Sequence, residues 1–467
     1  MAVQNESLGS VEFVALEGLK EGAMGGLSAF LITAGTWAPA LAISISPLAV
    51  WFVAGNGTWL AFIISVVAIM GLALCVNVFA KRYLATGGMY SWIELVMGRR
   101  GRVVMAALIA GSNFCVMLIL VPQLSLYGSP FMTSISPGLA GNGAQFIITG
   151  VVIAVCALFV IRGVEESVRV MWIIVGVSLP IVLVLMIAAA IKSGVSVSDQ
   201  LSLKGVNASM ILRGMLIATF GFMGFEQVAS LAFETRNPLK NLPRILYGIP
   251  LAFLLLYLLG TFLQVGVFDA NADAIFAGAS PVTVLGDASG LPWLGTAASV
   301  ALFVSVLGVV VGLLGICARY LGTFATDGLL PRVFARVSEK YQTPVIGIVI
   351  LALIAWIVPW VVIFATGKTS LTIYVWAGSL LTFWFIPAYI MMAVGAVILL
   401  RRLVGRVSPL VVLGAVVGTA GMVAMFADAF IHPGAGLLKY VPYLFLGLAF
   451  FLIVAFSLAS RRRAQAQ

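Results

Sequence analysis

The stretch TFGFMGFEQVASLAFETRNPLKNLPR, Thr219 to Arg244, begins inside a long apolar run and interrupts it with Gly221 and Gly224. It then places a carboxylate, Glu226, and ends in a basic, proline-punctuated tail. What such a segment means depends on its solvent. The chain has 467 residues, 62% of them hydrophobic and only 9% charged, with a mean hydropathy of +1.16. That is the composition of a polytopic membrane protein. In hydrocarbon, an unwound turn frees N–H and C=O groups that lipid cannot satisfy, and a central charge costs about 2.5–3.5 kcal/mol on insertion scales.

An apolar run of about 20 residues spans a bilayer as a helix. Twelve such runs are expected, at residues 22–45, 58–80, 102–127, 145–161, 170–191, 208–233, 245–268, 295–318, 345–366, 372–400, 409–429 and 440–460. They are continuous rather than alternating, which disfavours barrel strands and gives an all-α integral membrane fold. Residues 1–21 form an acidic N-terminal extension, residues 22–460 one transmembrane domain, and residues 461–467 a basic tail. The N-terminus has no basic start leading into a short apolar core and cleavage site, so an uncleaved first helix is expected.

With both termini cytoplasmic, only Lys192, Lys204, Arg213, Lys368 and Lys439 of the 26 Lys and Arg fall on the outer side. The positive-inside rule favours that orientation in the cytoplasmic membrane. The net charge of +10 then reflects topology and contact with anionic lipid, not nucleic acid. Cys75, Cys115, Cys156 and Cys317 lack metal-type spacing and read as buried hydrophobes. The one histidine, His432, has no partners for a metal site or a Ser/His relay, so an enzyme is not expected.

A second run is broken like the first. LITAGTWAPALAI, Leu31 to Ile43, carries Gly35 and Pro39, and the proline removes a donor and clashes with the preceding turn. Broken helices at the first and sixth places of two five-helix halves point to an inverted-repeat transporter with a midplane site. Freed N–H groups suit a carboxylate and freed carbonyls suit an ammonium or metal cation; a zwitterionic amino acid presents both charges.

The stretch FGFMGFEQVASLAFETRNPLKNLPR resembles the sixth-helix motif of the amino acid, polyamine and organocation (APC) transporter superfamily. FAKRYLATGGMYSWIELVMGRRGR, Phe79 to Arg102, resembles its loop between helices two and three. ARYLGTFATDGLLPRVFARVSEKYQTP, Ala318 to Pro344, resembles its loop after helix eight. The resemblance implies a LeuT-like fold with alternating access. Two inverted repeats, at about 22–191 and 208–400, would be followed by two peripheral helices at about 409–460.

It also implies residue roles. Phe220 falls at the aromatic position that closes over substrate, and Gly221, Phe222, Met223 and Gly224 form the unwound turn. Glu226 falls at the acidic position, either as a latch or proton-linked acid or as a structural acid joining helices. Thr33, Ala34, Gly35 and Thr36 stand where carboxylate contacts are expected, although the family's second glycine is missing there. Trp37 either lines the site or packs. Asn113 and Ser379 either touch substrate or join helices by hydrogen bonds.

The fifth helix has no Lys where some proton-coupled relatives carry one; a sodium site needs several oxygens, and Ser178 near that position offers one. The coupling ion, H+ or Na+, stays open, and no organic cofactor is expected. The basic clusters, including Arg102, either reflect topology or form gate pairs with acids such as Glu234 and Asp327. GVVVG, Gly308 to Gly312, reads as a close-packing stripe. The expected function is secondary transport of an amino acid or a related small amine. The alternatives are a polyamine exchanger, a channel or a transport-inactive sensor.

Overall fold

A computed structural model describes residues 25–83, 88–162, 167–231 and 235–466. The expected extension at 1–21 and Glu234 lie outside them. The described residues form helices and connecting turns, with no strand. The first run splits into α1 (Gly26–Thr36) and α2 (Pro39–Ala54), followed after a 3-10 turn by α3 (Thr58–Ala80). Next come α4 (Met89–Leu118), α5 (Leu120–Ile135), α6 (Asn142–Ile161), α7 (Ser167–Lys192) and the short α8 (Val197–Leu201). Helix α9 (Ala208–Phe220) leads through a break to a 3-10 helix, Phe225–Leu231, and then α10 (Pro238–Ala270). Two short helices, α11 (Ala272–Phe276) and α12 (Pro281–Ser289), precede α13 (Pro292–Thr326). The chain ends in α14 (Val345–Thr366), α15 (Ser370–Val404), α16 (Pro409–Ile431) and α17 (Val441–Ala466).

Local chemistry sets several helix starts. Helices α2, α10, α12, α13 and α16 all open on proline, whose missing N–H costs nothing in a first turn. Asn207 caps α9 by accepting the Met210 N–H at 2.9 Å, and Thr369 accepts the Thr372 N–H at the start of α15.

Among the described residues, eleven helical stretches are long and apolar enough to cross a membrane. The twelve sequence runs become eleven because Pro39–Ala80 forms one apolar stretch. It nevertheless holds two helices, α2 and α3, parted at Gly55, whose φ of +52° suits glycine. Close helix approach is written in other glycines. A Cβ on Gly71 of α3 would lie 2.6 Å from the Gly414 carbonyl oxygen of α16, and one on Gly111 of α4 would lie 2.4 Å from the Trp384 ring of α15. All four cysteines are buried and free.

Candidate substrate site

Both expected breaks are present in the backbone. At the first, Trp37 and Ala38 donate their N–H groups back to the carbonyls of Ala34 and Gly35, at 3.2 and 2.9 Å. Ala38 takes a left-handed φ of +43°, and α2 starts at Pro39 without a side-chain cap. The first N–H groups of α2 therefore lack the side-chain acceptor that usually satisfies one of them.

At the second break, Gly221, Phe222 and Met223 turn back onto Ala218, Thr219 and Phe220. Gly224 then adopts a φ of +98°, a conformation that strains any side chain. The Tyr257 hydroxyl of α10 donates to the Gly221 carbonyl at 2.6 Å, satisfying one acceptor exposed by the unwinding. The two breaks meet: a Cβ on Gly224 would lie 3.4 Å from the Trp37 indole nitrogen. That indole packs on Phe253, with ring centroids 4.6 Å apart.

A cavity of about 710 Å³ runs from where the breaks face each other out along α13 to exposed residues of α6. Trp37, Leu41 and Ala42 line it from the first break, and Phe220, Gly221, Met223 and Gly224 from the second. Its polar side chains include Ser46, Gln123, Gln227, Tyr257 and Tyr374. Gly308 and Gly312 of α13 also line it, and a Cβ on either would meet nothing within 4 Å. This corrects the close-packing expectation for GVVVG: these glycines face open space instead of a neighbouring helix.

Other expected site residues lie off this wall. Thr33 is buried and donates its hydroxyl to the Ala29 carbonyl. Ala34 and Gly35 accept the return bonds already described, and Thr36 closes α1. Phe222 is fully buried, packed edge-on against Phe62 and Tyr257. Asn113 is buried, with no partner for its Nδ2 among the described residues. The Ser379 hydroxyl donates to the Val375 carbonyl at 2.8 Å, within its own helix. Phe220, by contrast, is on the wall, against Gly378 and 5.9 Å, centroid to centroid, from Tyr374.

Glu226, also off the wall, is buried and accepts the Tyr389 hydroxyl of α15 at 2.9 Å. Ser178 receives the Ser305 hydroxyl at 3.2 Å, joining α7 to α13. Among the described residues, no cluster of three or more His, Cys, Asp or Glu could hold a metal ion.

Two charged clusters lie at a distance from the cavity wall. Arg102 pairs with Asp327 at 2.9 Å and Glu94 at 2.7 Å, while the Tyr90 hydroxyl donates to Asp327 at 2.5 Å. This joins two of the motif blocks, Phe79 to Arg102 and Ala318 to Pro344. Elsewhere Asp428 holds His432 at 2.7 Å and accepts the Ser209 hydroxyl at 3.1 Å, while Arg213 donates to the His432 carbonyl.

The amino acid permease family matches residues 24–462. The chain belongs to this family. It is similar to the branched-chain amino acid permease BcaP of Bacillus subtilis, with 23% identity over 63% of this chain and 65% of that protein. A vacuolar cationic amino acid transporter 4 of Arabidopsis thaliana is 32% identical over 31% of this chain and 24% of its own length. Cationic amino acid transporter 4 of Mus musculus is 24% identical over 64% and 49%. The chain spans less than two thirds of the length of each of these relatives.

In this member of the amino acid permease family, sequence reasoning missed Gln123, Tyr257 and Tyr374 on the wall. Gln123 had a signal: it is an amide inside the apolar run LVPQLSLYG, the same feature that drew attention to Asn113. The tyrosines had none, because a tyrosine in a membrane helix packs as readily as it binds.

Proposed function

We propose that the protein moves an amino acid across the cytoplasmic membrane by alternating access. One observation carries this reading: two broken helices, parted at Ala38 and Gly224, face each other across a single cavity. A zwitterion is suited to that arrangement. Its carboxylate is placed at the uncapped start of α2, where helix dipole and free N–H groups favour an anion. Its ammonium is placed toward α9, whose C-terminal end favours a cation.

In the proposed architecture, α1 with α2 forms the first membrane helix, and α9 with the 3-10 helix Phe225–Leu231 the sixth. Twelve helices then divide into inverted repeats at about 22–191 and 208–400 and a peripheral pair at about 409–460, with both termini cytoplasmic. Phe220 closes over substrate against Tyr374. Glu226 positions the segment after the break by holding α15 through Tyr389. The Arg102–Asp327 pair closes the cytoplasmic side. Thr33 to Thr36, Asn113 and Ser379 support the site from behind its wall. Ser178 and Ser305 are where a Na+ dependence would be sought, with H+ as the alternative coupling ion.

The test is counterflow of labelled amino acids into liposomes holding the purified full chain and unlabelled substrate. Saturable uptake that accelerates with internal substrate is the expected result. Uptake that never saturates would make the protein a channel, and binding without translocation would make it a sensor.

A further inference from the structure

The cavity has two chemically different parts. Near the breaks it offers backbone and hydroxyl groups, together with the Gln123 amide. Away from them it extends along α13 past Gly308 and Gly312, beside Val152 and Cys156 of α6, and opens toward Val151, Val155 and Phe159, which are exposed on the outer face of that helix. No Asp, Glu, Lys, Arg or His side chain lines either part among the described residues. The nearest acid in sequence to the break, Glu226, is buried off the wall with Tyr389 as partner. A cationic side chain entering the arm along α13 would lose water without gaining a counter-charge, which costs several kcal/mol per ion. An apolar side chain there gains instead, at about 0.8 kcal/mol per buried CH₂.

Gln123 is an independent sign that a ligand belongs here. It is 4% exposed, lies on the cavity wall hydrogen-bonded to Tyr374, and its Oε1 has no partner among the described residues. A buried acceptor left unpaired is costly, and an ammonium is a donor that would satisfy it. With the polar ends of a zwitterion held between the breaks and Gln123, its side chain points into the arm along α13. The two glycines leave the room that a Cβ and its branches would fill.

We infer that the substrate is an amino acid with a large, uncharged, apolar side chain, and that Gly308 and Gly312 leave the room it occupies along α13. This rests on the amino acid transport reading above and selects among its substrates. It separates this chain's chemistry from that of a cationic amino acid carrier, although relatives of both kinds are similar to it.

The experiment compares uptake of labelled leucine, phenylalanine, alanine and arginine by liposomes containing the full chain, its Gly308→Leu and Gly312→Leu variants, and Gln123→Leu. Both glycines lie within α13, where any residue but proline suits the backbone, so the variants should fold; melting temperature checks this. Should either leucine variant fail to fold, Gly308→Ala and Gly312→Ala are judged by the same criterion. Wild type should favour leucine or phenylalanine over arginine by roughly tenfold or more. The glycine variants should lose the large substrates selectively and keep alanine, whereas Gln123→Leu should weaken all of them. Arginine uptake equal to that of leucine overturns the assignment while leaving amino acid transport standing. Parallel loss of alanine and leucine in the glycine variants does the same. No uptake of any amino acid by the wild type overturns the transport reading itself.

Discussion

At Gly224 the backbone itself restricts the residue. Its φ of +98° is open to glycine alone at low cost. A methyl there would also crowd Gln227 and Trp37 at 3.3 and 3.4 Å. Gly224→Ala is expected to cost about 1–3 kcal/mol of local strain and to abolish uptake while the protein still reaches the membrane; wild-type transport rates in this variant would show that the break does not form the site. Tyr257→Phe removes the donor to the Gly221 carbonyl. The orphaned acceptor should destabilise the protein by about 1–3 kcal/mol, read as a lower melting temperature in detergent. Glu226 accepts a hydrogen bond from Tyr389 and stands off the wall, an arrangement that favours positioning over proton delivery. Glu226→Gln keeps an acceptor for Tyr389, so it should retain most uptake and the same pH profile, whereas Glu226→Leu should lose uptake. A flat pH profile in the glutamine variant would instead make Glu226 the proton carrier.

Between residues and the whole molecule stand the helices, and here the sequence was most legible. Pro39 marked the first break, and Gly221 and Gly224 the second, but Gly35 stays inside α1 and the residue that parts α1 from α2 is Ala38. The rotation of each helix was not legible. Helices apolar all round carry no stripe to say which face meets a neighbour. For that reason Asn113 and Gln123, ten residues apart in one apolar region, could not be ranked, although only Gln123 reaches the cavity wall. Gly308 and Gly312 failed to read correctly for a related reason. Small residues allow close packing and also leave space, and only the position of α6 and α7 beside α13 decides between them. Where glycines do mediate contact, the contact is tight. Gly71→Val should push α3 from α16, since its Cβ would meet the Gly414 carbonyl at 2.6 Å. Overpacking of this kind costs about 1–3 kcal/mol; an unchanged melting temperature would mean that the peripheral helix is free to move aside.

Across the whole molecule, the ion pairs among the described residues gather in two places away from the cavity. Arg102, Glu94 and Asp327 gather at one cluster and Asp428, His432 and Arg213 at another, while the cavity wall has no ionised side chain among the described residues. A neutral chamber has an electrical consequence. A zwitterion crossing it moves equal and opposite charges together, so the membrane potential does no net work on the cargo. A single uncompensated charge would feel about 2.3 kcal/mol per 100 mV. If no ion travels with it, leucine uptake by vesicles clamped with potassium and valinomycin should therefore be the same at zero and at negative potential, whereas one symported Na+ or H+ should make it rise at negative potential. Any dependence on voltage would count the ions that travel with the substrate, making an electrode the means of identifying how transport is powered.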